Sequence, residues 1–142
     1  MLFKKLFIKK ASDTDEPPQH IRIGMIGEEA ACKHLKRIGL STVTRNYHAR
    51  GGEIDIIAED PHTLVFVEVK TRTSEHDSPY GRPSDAVNQA KRENIIRASK
   101  EFVRLYCKSS KKRIRFDVIE VYVSKVGKIT DIVHIKDAFS AY

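Results

Sequence analysis

The segment TLVFVEVKT, residues 63–71, constrains the fold more than any other part of the chain. Every second position is valine, at Val65, Val67 and Val69. This two-residue period predicts a β-strand. The other face turns from apolar to charged, in the order Leu64, Phe66, Glu68, Lys70 and Arg72. Glu68 and Lys70 therefore point the same way from a strand with apolar surroundings, where a charge is costly without a partner or a metal.

The remaining hydrophobic patterns predict elements in the order α-β-β-β-α-β-β. Helices are predicted at 22–38 and at 84–106, the second with Ser84 as its N-cap. Strands are predicted at 40–47, 53–58, 63–71, 114–123 and 129–135. Helices that cover the faces of a mixed sheet make an α/β fold.

The length of 142 residues fits one domain, and 40% hydrophobic residues are enough for its core. We expect residues 1–20 to form a flexible arm and residues 21–142 a single domain, because the stretch before Ile21 is polar and broken by prolines. Cys32 and Cys107 are far apart in sequence, which indicates reduced thiols and a cytoplasmic location. No apolar run reaches the roughly 18 residues of a membrane-spanning helix, so we expect no membrane partner.

The charge balance favours an anionic partner. Lysine and arginine number 26 against 19 acidic residues, which gives a net charge of +7. A surplus of this size is typical of nucleic-acid-binding proteins, although many basic proteins bind none.

Two acidic residues fall on faces predicted to be covered. Glu28 lies seven positions before Leu35, which places the two about 20° apart around a helix and puts Glu28 in the apolar stripe. Asp55 lies inside a predicted strand, where aspartate is disfavoured, and shares its face with Glu53. The opposite face is predicted to carry Ile54, Ile56 and Ala58. The plainer alternatives are a stripe-edge Glu28 that reaches solvent and an edge strand whose wet face carries Asp55.

Two lysines accompany these acids. Lys91 shares a helical stripe with apolar residues at Val87, Ala98, Phe102 and Leu105. Its default interpretation is a stem that packs along the helix while the ammonium reaches water. Lys70 follows Glu68 on the same strand face, and its plainer interpretation is a cross-strand ion pair.

These residues become informative if they converge. A short turn at Asp60-Pro61 joins the strands of Asp55 and Glu68, so we expect the two carboxylates to stand near each other with Lys70 beside them. Two close carboxylates repel unless a cation neutralises them. Carboxylate oxygens with a few waters suit Mg²⁺, and an acidic metal site on a basic protein suggests phosphodiester hydrolysis.

The combination resembles the PD-(D/E)xK nuclease superfamily, with its restriction-endonuclease-like αβββαβ core. Ile54 stands where the superfamily pattern has proline, so the aspartate alone carries that part of the motif. More closely, the chain is similar to the YraN family of predicted endonucleases, which is related to archaeal Holliday junction resolvases. The matching segments are Gly27-Glu28 with Ala30, Asn46, GGEIDIIAED from Gly51, LVFVEVKTR from Leu64, Lys91, and RFDV from Arg115.

The resemblance implies roles for these residues. Asp55 and Glu68 would bind Mg²⁺ or Mn²⁺ together with the backbone carbonyl of Val69, and Glu28 and Glu53 are further candidate ligands. Lys70 would orient or deprotonate the attacking water or stabilise charge on the phosphate. The candidate nucleic-acid contacts are Arg72, Lys91, Lys111, Lys112, Arg113 and Arg115.

The first functional hypothesis is therefore a metal-dependent DNA endonuclease, with branched DNA as one candidate substrate and a homodimer as the form that a junction cutter would need. The alternative is a non-catalytic nucleic-acid-binding protein that retains the nuclease fold. A decayed site normally loses an acid or the lysine, whereas Glu28, Asp55, Glu68 and Lys70 are all present. A third hypothesis, a protein that binds ribosomal RNA, lacks a row of aromatic residues for stacking.

Overall fold

The computed structural model describes residues 16–73 and 87–141. Its helices are α1 (Gln19–Arg37) and α2 (Gln89–Tyr106). Its strands are β1 (Ser41–Ala49), β2 (Gly52–Glu59), β3 (Thr63–Thr73), β4 (Arg113–Val123) and β5 (Ile129–Phe139). The element order α-β-β-β-α-β-β confirms the sequence prediction.

The five strands form one mixed sheet in the order β1-β2-β3-β4-β5. β3 and β4 are parallel, because the chain crosses over through α2 between them, and the other neighbours are antiparallel. This architecture is compatible with a restriction-endonuclease-like αβββαβ core, as predicted.

A helix covers each face of the sheet, which gives two apolar layers. The α1 layer contains Ala31, Leu35, Ile56, Val65, Val67, Ile119 and Val121. The α2 layer contains Ile54, Ile57, Leu64, Phe66, Ile95, Phe102, Phe116 and Val118. β3 contributes alternate residues to both layers, so its sequence is apolar on both faces up to Phe66.

Both helices are amphipathic. The buried positions of α1 are Gly27, Ala30, Ala31 and Leu35, and those of α2 are Ile95, Ala98, Ser99 and Phe102. Leu105, predicted in the apolar stripe, is exposed. Within the described ranges, neither helix combines the length and the apolar character needed to cross a bilayer.

The element boundaries differ from the predictions mainly at the helix starts. α1 begins after Pro18, so the last two residues of the predicted arm are helical; residues 1–15 lie outside the described ranges. Asn88, not Ser84, caps α2, because its side-chain oxygen accepts the Lys91 N–H at 2.9 Å. Ser84 itself lies outside the described residues. Both cysteines, Cys32 and Cys107, are free thiols and half-buried.

Candidate active site

The site forms where β2 and β3 separate. Their pairing runs from Glu59 opposite Leu64 to Ile56 opposite Val67 and is not continued at Asp55. There the Asp55 Oδ2 atom accepts the Val69 N–H at 2.8 Å. The carboxylate thus satisfies a backbone donor that the departing strand leaves without a ladder partner.

A reversal of side-chain alternation in β2 accompanies this separation. Ile56 packs in the α1 layer, but Ile54 packs in the α2 layer with Ile57. The prediction that Ile54 and Ile56 share a face is therefore wrong. Opposite Asp55, between the pairs Arg45–Ile56 and Tyr47–Ile54, Asn46 has φ of 49°. A local break of this kind reverses the side on which the following side chains emerge.

Glu68 is the most perturbed ionisable group of the site. Its side chain is 4% exposed, and its Oε2 atom is buried with no hydrogen-bond partner. Lys70 Nζ and Lys91 Nζ each lie 3.6 Å from the other oxygen, Oε1. The pKa of Glu68 is raised to about 7 by burial and then by the negative charge of Asp55, and the two ammonium groups oppose the rise.

Lys91 reaches Glu68 because α2 sits very close to the turn between β1 and β2. A Cβ atom on Gly52 would lie 2.6 Å from the Asn94 carbonyl oxygen, and one on Gly51 would lie 3.2 Å from Arg97. The Gly-Gly pair therefore lets the first turns of α2 approach the sheet. The Lys91 ammonium therefore lies against a carboxylate, while its side chain stays 35% exposed.

Glu28 enters from the other helix, across a second close approach. A Cβ atom on Gly27 would lie 1.9 Å from the Thr71 Oγ1 atom, so glycine brings α1 against β3 here. The Glu28 carboxylate lies 3.7 Å from Arg45 and accepts from Asn46 Nδ2 at 3.4 Å. Its side chain is 24% exposed, so it is half-buried and in reach of solvent.

These groups line one open cleft of about 410 Å³. Its walls carry the three predicted acids, Glu28, Asp55 and Glu68, with Val69 between them. His20, Ile23, Gly24, Thr71 and Thr73 complete the lining. The structure thus brings Glu28, Asp55 and Glu68 together, with Lys70 and Lys91 against Glu68.

The donor set of the cleft fits Mg²⁺ or Mn²⁺. In the described ranges, no three His, Cys, Asp or Glu side chains are grouped as a ready-made metal cluster. Mg²⁺ does not require one, because it binds through one or two carboxylates and keeps several waters. The buried, unpartnered Glu68 Oε2 atom is such a donor. The N–H and C=O groups of one residue point to the same edge of a strand, so the Val69 carbonyl faces the side where Asp55 stands.

Comparison with known proteins identifies the family to which this chain belongs. The profile of the family described as "Uncharacterised protein family UPF0102" matches residues 27–121, which include all the acids of the cleft. The chain belongs to the UPF0102 family. This agrees with the resemblance to YraN inferred from the sequence.

Several UPF0102 proteins match this chain over most of their own length. The UPF0102 protein of Caldicellulosiruptor saccharolyticus is 41% identical over 117 residues, which cover 82% of this chain and 96% of the relative. That of Desulforamulus reducens is 39% identical over 121 residues, covering 84% and 97%. That of Geobacter metallireducens is 42% identical over 122 residues, covering 82% and 91%.

One predicted acid of this UPF0102 chain lies outside the cleft. Glu53 was expected on the face of Asp55, but its side chain is 63% exposed and lies 3.1 Å from His48. Glu53 stands opposite His48 of β1 and does not line the cleft. Glu53 therefore drops out of the candidate ligands.

The predicted basic turn lies at the opposite end of the sheet from the cleft. In the parallel pair, Arg113 stands beside Thr63 and Val118 beside Glu68. Five strand residues separate the two levels, or roughly 16 Å. Lys112 lies 2.7 Å from Glu59, Arg113 lies 3.8 Å from an Asp137 oxygen, and Lys111 is exposed.

Two other predicted phosphate contacts are engaged by carboxylates. Arg115 donates to both oxygens of Asp117, at 2.8 and 2.9 Å, and its side chain is 21% exposed. Its guanidinium is therefore held in an ion pair with a buried carboxylate of the protein. Arg72 lies 3.7 Å from the buried Glu120 carboxylate, which also accepts from the Tyr122 hydroxyl at 2.7 Å. Arg72 remains 42% exposed and stays near Lys70 on β3, so it can still meet a phosphate.

Sequence reasoning gave no role to three residues that the structure places at the site. Asn46 contacts Glu28, while His20 and Thr71 line the cleft. An asparagine within a Thr- and Val-rich strand was the available signal for Asn46, because asparagine tolerates positive φ. His20 and Thr71 carried no signal in the pattern, because tertiary packing alone brings α1 onto β3.

Proposed function

We propose that this protein is a metal-dependent DNA endonuclease that hydrolyses phosphodiester bonds, with branched DNA as a candidate substrate. The observation that carries the proposal is the Glu68 carboxylate. It is buried beside Asp55, it has one oxygen without a partner, and two lysines hold the other. A buried carboxylate that lacks hydrogen-bond donors lowers the stability of the fold, and such groups are concentrated at functional sites.

Each residue of the cleft has a defined task in this proposal. Asp55, Glu68 and the Val69 carbonyl would hold Mg²⁺ or Mn²⁺, which when bound polarises the phosphate and makes water a stronger nucleophile. The Lys70 ammonium orients the attacking water or stabilises charge that develops on the phosphate oxygens. Glu28 accepts a hydrogen bond from a water on the opposite wall. Lys91 favours the ionised form of Glu68 and orients it, because its positive charge opposes the rise in the pKa of that carboxyl.

Charge supports nucleic acid as the substrate class. The chain carries a net +7, and Lys70, Lys91 and Arg72 remain between 34% and 42% exposed around the acids. Cations of this kind contact backbone phosphates without reading sequence. A structure-specific nuclease requires that mode of binding.

The test is a cleavage assay with Mg²⁺ or Mn²⁺ on nicked, flapped, four-way and plain duplex DNA. Asp55→Asn and Glu68→Gln should each lower cleavage by more than about a hundredfold, because even changes behind a metal ligand cost about 10- to 100-fold. DNA binding without metal should persist or tighten in both variants, since each removes negative charge near the phosphate. Glu59→Gln, at the far end of β2, is the matched control and should cut normally.

Two results would contradict the proposal. Cleavage that survives in Asp55→Asn, after removal of contaminating nucleases, would refute the assignment of this cleft. DNA binding by the wild-type protein with no cleavage on any substrate would favour the alternative, a non-catalytic nucleic-acid-binding protein with a nuclease fold.

A further inference from the structure

A second cavity lies directly against the active-site cleft. It has a volume of about 550 Å³ and shares the Glu28 side chain with the cleft as a common wall. Its other walls come from α1, β1 and β5. Met25 of α1 and Ile129 of β5 line it and are 59% and 38% exposed, which is high for large apolar side chains. A ligand that entered here would remove both from water.

The polar side of this cavity is balanced in charge. Two acids, Glu28 and Glu29, face two cations, Lys33 and Arg45. Arg45 is paired with Glu29 at 2.9 Å, so the charge of Arg45 is balanced within the cavity wall. Such a wall favours neither a phosphate nor a metal cation. It suits an uncharged ring that packs against apolar side chains and offers hydrogen-bonding groups at its edge.

Asn46 supplies an edge of that kind. Its backbone is held at φ of 49°, and the side chain of this residue lines the cavity while it donates to Glu28. A carboxamide can accept and donate hydrogen bonds together, as nucleobase edges also do.

We propose that this cavity receives one unpaired nucleobase from a DNA strand whose backbone lies in the active-site cleft. The inference rests on the proposed function and names its substrate class, DNA with an unpaired base next to the scissile phosphate. Enzymes that accept such bases enclose them between apolar side chains and read their edges. Glu28, as the wall between the two spaces, would then stand between the base and its own phosphate.

The two methionines of the chain make this testable without any cleavage. Selective ¹³C-methyl labelling marks Met1 and Met25, and Met25→Leu assigns the second signal. The full-length protein, with EDTA, is titrated with three duplexes that are identical except for one position. That position is fully paired, carries an unpaired adenine, or carries an abasic site. An upfield ring-current shift of the Met25 methyl with the unpaired adenine alone is the expected result.

Affinity provides the second measurement. The wild-type protein should prefer the unpaired adenine over the abasic site by about tenfold, a preference within the range expected for the stacking of one base. The double variant Met25→Ala, Ile129→Ser should lose this preference and keep its affinity for the paired duplex. Val126→Ser is the matched control, because Val126 is 90% exposed on the same β4–β5 hairpin and does not line the cavity.

Each outcome separates the two proposals. Equal affinity for all three duplexes with no shift of Met25, in a protein that cuts DNA, would refute the base cavity alone. A Met25 shift and a base preference without any metal-dependent cleavage would support the cavity and refute the nuclease proposal. Loss of preference in Val126→Ser as well as in the double variant would also overturn the cavity.

Discussion

Asp55 on β2 and Asp117 on β4 each lie beside a break in the strand pairing, and they differ in the groups that surround them. Asp55 accepts the Val69 N–H where β2 leaves β3. Asp117 accepts the Asp137 N–H at 3.0 Å where β5 carries an irregularity opposite β4 and Asp137 has φ of 54°. In both places a carboxylate satisfies a backbone donor released by a break in the ladder.

The second break is fully satisfied. Asp117 is completely buried, and Arg115 donates two hydrogen bonds to it while His134 lies 2.8 Å away. His134 in turn lies 3.0 Å from His34 of α1. Although burial acts in the opposite direction, His134 and Arg115 hold the pKa of Asp117 below its usual value.

The first break, at Asp55, has too few hydrogen-bond donors for the carboxylates that lie there. Beside Asp55, the buried Glu68 carboxylate has one oxygen without a hydrogen bond, and its pKa is raised to about 7. The comparison teaches that one break in the sheet can be closed by a saturated carboxylate, while another leaves a neighbouring buried carboxylate short of donors. The unpartnered Glu68 oxygen at the first break is available to a further ligand.

The largest expected effect is on stability at the saturated break. Asp117→Ala should lower the free energy of unfolding by about 3–5 kcal/mol, because it leaves the half-buried Arg115 and the 7% exposed His134 side chain without their partner. Urea unfolding at pH 7 measures this, with the exposed Asp131→Ala on β5 as control. A loss below ~1 kcal/mol in Asp117→Ala would show that water replaces the lost carboxylate and would remove the contrast.

Glu68→Gln should have the opposite sign. Because the folded pKa is raised above the unfolded value of 4.5, the native state binds the extra proton, and stability falls as pH rises from about 4.5 to about 7. Glutamine does not titrate, so the variant should lack this fall in stability. We expect Glu68→Gln to be more stable than the wild type by on the order of 3 kcal/mol at pH 8 in EDTA.

The control for this prediction is pH itself. Near pH 4 both folded and unfolded Glu68 are protonated, so the two proteins should unfold at similar urea concentrations. A stabilisation by Glu68→Gln that is the same at pH 4 and pH 8 would mean that the charge of Glu68 is not its source.

A smaller effect is expected from the cation. Mg²⁺ at about ten times its dissociation constant should raise the free energy of unfolding by about 1.4 kcal/mol. The gain should be present at pH 8 and largely absent at pH 5.5, since a proton on Glu68 competes with the metal. Thermal unfolding with Mg²⁺ or with EDTA measures it. Asp55→Asn should show no gain at either pH, and a gain of equal size in this variant would place the cation elsewhere.

The smallest effect is expected from the basic turn near the saturated break. Replacing Lys111, Lys112 and Arg113 by alanine should lower the salt dependence of DNA binding by at most ~0.9 per lost phosphate contact. Two of the three are paired with Glu59 and Asp137, and the turn lies far from the cleft. Lys91→Ala should weaken binding more than this triple variant does. The reverse order, in fluorescence anisotropy against salt, would move the DNA path to the turn.

The sequence by itself determined the order of the elements and the faces of its strongest strand. Alternation from Val65 to Val69 required Glu68 and Lys70 to point the same way, and one short turn required β2 to lie beside β3. The acids and lysines of the cleft could be selected from the sequence alone, because a charged residue is conspicuous within an apolar pattern. These are local properties of spacing, and spacing is what a sequence records.

Only the tertiary structure decided which of those charges meet. Where β2 separates from β3, Asp55 accepts the Val69 N–H in the cleft, whereas Glu53 lies exposed beside His48. Asp117 also accepts the Asp137 N–H at an irregularity in β5, and its contact with His134 joins two strands; no period in the sequence announces either. Breaks in a ladder and close approaches at glycine arise from packing between distant segments, so the partner of each charge is fixed only when the chain has folded.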